Sequence, residues 1–389
     1  MPQYTINSSY ASVIALDVHA RTVTANGISL ETGESKLKRF NDCPSPEEIT
    51  CWIQENFPAP CRCAYESGCT GFYLARRLNE LGIGCDVIAV STIAKSTDEK
   101  QRKTDRKDAK GLLRELLNPA SSISVVWCPD EECEGMRDLI RAYKDAQDAL
   151  RRSRQRLSAL LLRHGWVYNE KTPKGNKKKS WGKAHMRWIE NITLTSSKSQ
   201  EALLSYRTAV EEDTERTKHI KAQIEQHAKE QRWKPYADAL SCLYGTSTHS
   251  AMIHASEFGD FKRFKNGSSV SRWTGTTPTS HASGEKMLAN GRITKAGNAI
   301  VRTTMIEGIS SVAGKRPPAV RLRADQEVSG HITALCAKAN HRLYERYLHL
   351  TTDLGKKVNV AKVAVASEMA RWVWAIGCTV QDEQQHSRP

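Results

Sequence analysis

Apolar and polar positions alternate with a short period at the start of the chain. Residues 11–41 read SVIALDVHA, then TVTANGISL, then SKLKRF after TGES. Such alternation, punctuated at Asn26-Gly27 and Thr32-Gly33, predicts three short strands joined by tight connections. Ser45-Pro46-Glu47-Glu48 reads as a helix start, with Ser45 as N-cap and Pro46 in the first helical position. That helix would run through Ile49, Trp52 and Ile53 to about Phe57. A strand at RCAYE follows, then the helical period of Phe72, Leu74, Leu78 and Leu81, then a strand at CDVIAV. Three strands followed by alternating helix and strand predict an α/β domain with a mixed sheet and helices on its faces.

Beyond residue 130 the period lengthens. Met136, Leu139, Tyr143, Ala146, Leu150, Ser153, Leu157 and Leu160 fall at alternating spacings of three and four, a coiled-coil seam that Gly165 stops. Leu203, Tyr206, Val210, Thr217, Ile220, Ile224 and His227 continue the pattern. An antiparallel hairpin and a dimerising arm both fit. From 236, helical segments at 236–243 and 248–257 flank YGTS, which looks like a helix-hairpin-helix turn offering backbone N–H groups to a phosphate. A G-x-G turn would be expected there, and only Gly245 is present. A polar, glycine-rich stretch from Val270 ends in a helix from about Asn298. LCAKANHRLYERYL and VAKVAVASEMARWVWAIG predict two apolar helices beside it, and QDEQQHSRP a frayed tail. The expected division is 1–125 for the sheet domain, 126–235 for a helical arm, 236–380 for a mainly α C-terminal domain and 381–389 for a disordered tail.

Charge narrows the class. The 389 residues carry 58 Lys and Arg against 43 Asp and Glu, a formal +15, which favours nucleic acid over neutral small molecules. There is no apolar stretch of roughly 18 residues and no signal-peptide pattern at MPQYTINSSY, so a soluble, unexported protein with no membrane partner is expected. Eleven cysteines include one C-x-C, at Cys61 and Cys63, and no CxxC pair. They read as reduced thiols, not a zinc or disulfide framework.

Against that basic background four acidic residues stand out. Asp17 lies in the apolar run VIALDVHA, Glu66 ends a predicted strand, and Asp105 and Asp108 lie three apart in KTDRKDAKGLLREL. A carboxylate inside an apolar strand is costly unless paired or metal-bound. Asp17 on the first strand and Glu66 at the carboxyl end of the fourth would meet at the usual crevice of an α/β sheet. Asp105 and Asp108, one helical turn apart, would share a face of a helix closing over them. This element order is that of the ribonuclease H fold. Acidic oxygen ligands suit Mg²⁺, two ions being expected and Mn²⁺ an alternative. Candidate phosphate contacts are Arg151, Arg152 and Arg154 on the first arm helix and Lys177, Lys178 and Lys179 in KTPKGNKKKSWGK, a loop expected to order only on a phosphate backbone. Arg292, Lys295 and Arg302 join them in the glycine-rich stretch. Trp181 and Trp188 read as base-stacking residues, Trp188 equally as a core residue.

The runs ALDVHARTVTANG, YESGCTGFYLARRL and KTDRKDAKGLL resemble the N-terminal half of the DEDD insertion-sequence transposases, the group of Piv-type DNA invertases and RNA-bridged recombinases. SRWTGTTPTSHASGEKMLANGRITKAGNAIVRTTMIEG resembles their C-terminal domain, with the pattern G-x-x-P…S-G…I-x-K-x-G-N-x-x-x-R. Together these cover most of the chain apart from 166–235. The resemblance implies a RuvC-like metal-dependent domain over 1–125, with Asp17, Glu66, Asp105 and Asp108 as the catalytic metal ligands and Ser283 as the nucleophile. The family often has S-S-G where this chain has Ala282-Ser283-Gly284, which leaves Ser280 as the alternative nucleophile. It further implies donor and target DNA, a structured noncoding guide RNA, and a dimer or tetramer through the coiled-coil arm, with the active site assembled in cis or in trans. Two other readings fit the residues: a RuvC-like structure-specific endonuclease that hydrolyses DNA without a covalent intermediate, and a non-catalytic nucleic-acid-binding protein.

Overall fold

A computed structural model describes residues 10–93, 105–118, 120–279, 281–283, 286–288 and 292–386, with backbone alone at 105–107, 281–283 and 286–288. Two compact units form, one from residues up to Glu131 with Lys262–Lys265 and one from Glu132–Phe261 with Asn266 onward.

The first unit is built on a sheet whose central strand is apolar on both faces. Strands β1 (Ser12–Val18), β2 (Val23–Ser29) and β3 (Ser35–Phe40) are antiparallel; β4 (Cys61–Glu66) lies parallel to β1, and β5 (Gly84–Ile88) parallel to β4. A short β6 (Val125–Val126) closes the edge antiparallel to β5, giving the order β3-β2-β1-β4-β5-β6. Val13, Ile14, Ala15 and Leu16 are all buried, as a strand covered on both sides requires. Ile14 and Leu16 pack on one face with Trp52 and Ile53 of α1 (Pro46–Asn56) and Leu74 and Leu78 of α2 (Tyr73–Glu80). Val13 and Ala15 take the other face, against Leu112, Leu113 and Leu116 of α3 (Asp105–Leu117). Each buried leucine contributes about 1.5–3 kcal/mol to that docking.

The expected start of α1 is present in full. Ser45 Oγ accepts from the Glu48 amide at 3.1 Å, and the Glu48 carboxylate accepts from the Ser45 amide at 2.8 Å, a reciprocal cap. Asn26-Gly27, by contrast, does not turn the chain. Both residues lie inside β2, where a Cβ on Gly27 would meet the Phe57 ring at 2.5 Å. The glycine makes room for an aromatic ring, and the turn comes at Gly33, with φ of 73°.

In the second unit, α4 (Glu131–Arg163) and α6 (Ser197–His227) form an antiparallel pair. Leu150, Leu157, Leu160 and Leu161 pack with Leu203 and Val210, and Ser153 donates to Asp213. The apolar seam is therefore closed within the chain, as a hairpin. The lysine-rich connector makes its own turn: the Thr172 amide donates to Asn176 O at 2.7 Å and the Lys178 amide to Glu170 O at 2.9 Å. The short α5 (Lys183–Glu190) buttresses it through His185 and Ile189.

The remainder is helical: α7 (Lys234–Leu240), α8 (Thr248–Phe258), α9 (Gly267–Trp273), α10 (Ala299–Gly314), α11 (Gly330–Leu348) and α12 (Val358–His386). The last three pack on one another, with Met305, Ile309, Cys336, Leu343, Val365 and Val373 fully buried. The YGTS turn is spent inside this domain. Gly245 has φ of 87° and its missing Cβ would fall 2.3 Å from Gly308 O, while the Tyr244 amide donates to Asn340 Oδ1 at 2.7 Å. At the C-terminus, α12 continues to His386; Ser329 Oγ donates to Glu383 at 2.7 Å, and Tyr236 Oη to Gln384 at 3.1 Å. Those bonds order most of the stretch read as a frayed tail, residues 387–389 lying outside the described ones. Among the described residues no helix is long and apolar enough to cross a membrane.

Candidate active site and nucleic-acid contacts

Parallel pairing of β1 with β4 matches Leu16 to Tyr65. Both side chains enter the core beneath α1 and α2. Side chains alternate along a strand, so the next residues, Asp17 and Glu66, emerge together on the opposite face, at adjacent carboxyl ends about 4.8 Å apart along the hydrogen-bonding direction. Asp17 is 18% exposed and its Oδ2 lies 3.2 Å from His19 Nε2. Directly across on β2 is Thr24, buried at 1%, and two residues on is Asn26 at 4%. Two polar side chains at alternate positions of a buried strand were the signal for this part of the site, which sequence reading missed.

Helix α3 covers that same face. Its end residues Leu117 and Asn118 line a cleft with Ser35, whose partner Ile28 pairs with Val13 at the start of β1. The helix thus runs opposite to β1, and its first turn lies toward Asp17. Asp108, half-buried, sits one turn before the docked Leu112. Asp105 opens the helix; its side chain is outside the description. No three His, Cys, Asp or Glu side chains among the described residues close into a metal cage. Two carboxylates at neighbouring strand ends, beneath the helix turn that bears Asp108, nevertheless fit Mg²⁺, a hard cation that takes few protein oxygens and keeps several waters. Lys110 and Arg114, also missed from sequence, line the adjoining cleft of about 510 Å³ with Asn26 and Ser35.

The second unit holds the other predicted residues. Ser283 ends β7 (His281–Ser283), which pairs antiparallel with β8 (Lys286–Leu288) in a register that matches Ser283 to Lys286. Ser280 lies outside the described residues. The flanking segments continue the ribbon: Thr279 N donates to Arg292 O and Thr294 N to Thr277 O, both at 2.9 Å. At its base Gly297, with φ of 131°, approaches Trp273 O so closely that a Cβ would sit 2.1 Å from it. Asn298 caps α10 by accepting from Val301 N at 3.0 Å and donates to Glu257 at 2.7 Å. Arg302 Nη1 donates to Thr274 O and Lys295 O at 2.9 and 3.2 Å, which shapes the ribbon's base. Arg292 and Lys295 are exposed.

Glu257, another residue absent from the sequence reading, is 3% exposed and holds this base to the arm. Its carboxylate lies 3.0 Å from Arg141 Nη2 and 3.9 Å from Arg137 Nε, and Arg137 also donates to the carbonyls of Ser256 and Glu257. The arginines of α4 therefore fall into two groups. Arg137 and the exposed Arg141 are committed to the buried Glu257, whereas Arg151 and Arg152 are exposed and Arg154 is half-buried. Lys177 and Lys179 are exposed on the connector, and Lys178 pairs with Glu170 at 2.7 Å. Trp188 packs against His185 and Tyr168, with ring centres 5.6 and 5.3 Å away.

Comparison with known proteins gives these arrangements a context. Residues 237–324 match the family described as transposase IS116/IS110/IS902. A Sinorhizobium fredii protein named as transposase y4qE is 34% identical over 317 residues, covering 80% of this chain and 74% of that protein. The transposase for insertion sequence element IS1533 of Leptospira borgpetersenii is 32% identical over 215 residues, 55% of this chain and 60% of its own length. A Pseudomonas aeruginosa protein named as a family 20 transposase is 25% identical over 82% of this chain and 84% of its own. With 34% identity across 74% of a relative's length and the family's own region matched from α7 to beyond α10, the chain belongs to the IS116/IS110/IS902 transposase family.

Proposed function

We propose that the protein is a DNA transposase that cleaves and rejoins the strands of an insertion element, using an acidic metal site and a serine nucleophile. The observation that carries this reading is the common emergence of Asp17 and Glu66 at neighbouring strand ends beneath the first turn of α3, which bears Asp108. The strand order, three antiparallel strands followed by parallel ones, supports a RuvC-like, ribonuclease H-type first domain. Asp17, Glu66, Asp105 and Asp108 would hold Mg²⁺, which when bound stabilises charge on the attacking and leaving oxygens of a phosphodiester. Lys110 and Arg114 would hold the strand's phosphates alongside.

Ser283 would attack phosphorus through Oγ. One phosphorus–oxygen bond forms as another breaks, and the departing deoxyribose oxygen takes up a proton. The phosphoserine bond conserves the energy of the cleaved strand, and attack by an incoming hydroxyl frees the serine again. A guide RNA, and assembly of two or four copies, extend the reading by family resemblance. Arg151, Arg152, Arg154, Lys177 and Lys179 supply the charge an RNA or DNA backbone needs.

The test is incubation of the protein, its co-purified RNA and element DNA with Mg²⁺, followed by a denaturing gel for protein-linked DNA. A linked band lost in Ser283→Ala supports the serine route. Cleavage that persists in Ser283→Ala with no linked band in the wild type establishes hydrolysis instead. Ribonuclease treatment that leaves strand transfer unchanged removes the RNA from the scheme.

A further inference from the structure

Beside the connector, the paired arm helices leave an open cleft of about 530 Å³, lined by Gln147, Leu150, Arg151, Arg154, Trp181 and Thr217 and by no acidic side chain. Its size lies in the range of small-ligand sites, roughly 300–1,000 Å³. Three observations set it apart from an ordinary groove between helices. The Arg154 guanidinium stands 5.3 Å from the centre of the Trp181 ring. Its Nε is buried with no acceptor among the described residues, a condition that buried guanidinium groups seldom tolerate unless a ligand or water completes them.

Trp181 carries a φ of +65°, a left-handed backbone that bulky residues rarely adopt. It is held there by its own amide, which donates to His185 Nδ1 at 2.8 Å, and by the edge of the His185 ring at 4.8 Å. Strained non-glycine residues of this kind cluster where a ligand is clamped. Arg151, at the rim, is paired at 3.0 Å with Asp148, itself half-exposed. Such a surface pair is weak and readily exchanged for a stronger anion.

We propose that this cleft is a binding site for one unpaired nucleotide of a single-stranded or looped nucleic acid. The base stacks against the Trp181 and Arg154 pair, Gln147 reaches its polar edge, and the phosphate is shared by the half-buried Arg154 side chain and Arg151. A base within a duplex has no free face to offer, so pairing excludes it. The assignment rests on the arm being a nucleic-acid surface, and it concerns recognition, not strand chemistry.

A photocrosslinking experiment on the full-length protein tests it in EDTA, where no metal-dependent step contributes. The probes are dodecamers with a central 5-iodouracil, one DNA and one RNA, and a blunt DNA duplex of the same sequence. After irradiation and trypsin digestion, the expected adduct is on Ser180–Lys183, whose one aromatic residue is Trp181. Loss of a stack lowers occupancy on the order of tenfold, so Arg154→Met should cut that yield by about this factor, and Trp181→Phe should retain crosslinking. Adduct from RNA alone, DNA alone or both supports the site and identifies its source. Adducts elsewhere with none on this peptide, or equal yield from the duplex, overturns it. Because metal and cleavage are absent, an inactive carboxylate site would leave the result unchanged.

Discussion

Asp17 and Glu66 stand one position beyond the Leu16–Tyr65 pair of two parallel strands and leave the sheet by the same face. Two carboxylates so close repel each other unless a cation or proton lies between them. Neutralising either should therefore hold or raise stability while removing function. Asp17→Asn and Glu66→Gln are expected to reduce Mg²⁺-dependent strand cleavage by roughly a hundredfold or more. Added Mg²⁺ should raise the melting temperature of the wild type by linkage and leave these variants unmoved. Cleavage at the wild-type rate in Asp17→Asn would remove this carboxylate from the site.

Gly297 sets the base of the Ser283 ribbon. Its φ of 131° and the 2.1 Å approach to Trp273 O admit no side chain. Gly297→Ala must shift backbone against backbone, so a destabilisation of about 2 kcal/mol or more is expected, beyond the usual cost of alanine at a strained position. The ribbon also carries Ser283, so strand transfer should fall more steeply than DNA binding. Chemical denaturation and a gel-shift assay separate the two, and unchanged stability would contradict the packing described.

The sheet was legible because period-two alternation is local, and so was the capped start of α1. What was misread depended on partners distant in sequence. Asn26-Gly27 is a strong turn signal, yet Gly27 is small because Phe57 packs upon it. Heptad spacing could not say whether α4 meets a second copy or α6; Leu203, Val210 and the Ser153–Asp213 bond settle that within the chain. The two-residue β6 exists through its pairing to β5. At the candidate site, adjacency of Asp17 and Glu66 followed from strand order, whereas Thr24 needed the β1–β2 register. Glu257 was visible only as a lone acid in the apolar helix THSAMIHASEF, and the carbonyl partners of Arg302 lie across a loop that spacing does not reveal.

Two histidines of α8 make the second unit sensitive to acid. Burial pushes His254 down to about 3 and His249 down to about 4, and neither ring nitrogen of His254 has a hydrogen-bond partner among the described residues. In the unfolded chain each titrates near 6.5. The unfolded chain therefore binds more protons between about pH 4 and 6.5, so stability is complete above that window and falls as pH drops through it. At pH 5 the loss should be roughly 2 kcal/mol for each histidine. His254→Leu should cost little at pH 7.5, since no hydrogen bond is broken, and should lessen the slope of stability between pH 6.5 and 5. An unchanged slope in urea titrations would mean that His254 is protonated in the fold.

The connector offers the sharpest electrostatic comparison, because its three neighbouring lysines differ in their partners. Lys177 and Lys179 face solvent, and Lys178 is held 2.7 Å from Glu170. Each lysine that neutralises a duplex phosphate contributes about 0.9 to the slope of log binding constant against log salt, and about 0.7 on a single strand. Lys177→Ala and Lys179→Ala should each lower the slope by nearly that amount, equally for unrelated DNA sequences. Lys178→Ala should lower it less, because the removed charge was already partly balanced, and Glu170→Gln should raise the slope by freeing Lys178. Fluorescence anisotropy over a salt series measures all four. Equal effects from the three lysines would show that the Glu170 pair opens whenever nucleic acid binds, and no effect from any would take the connector off the nucleic-acid path.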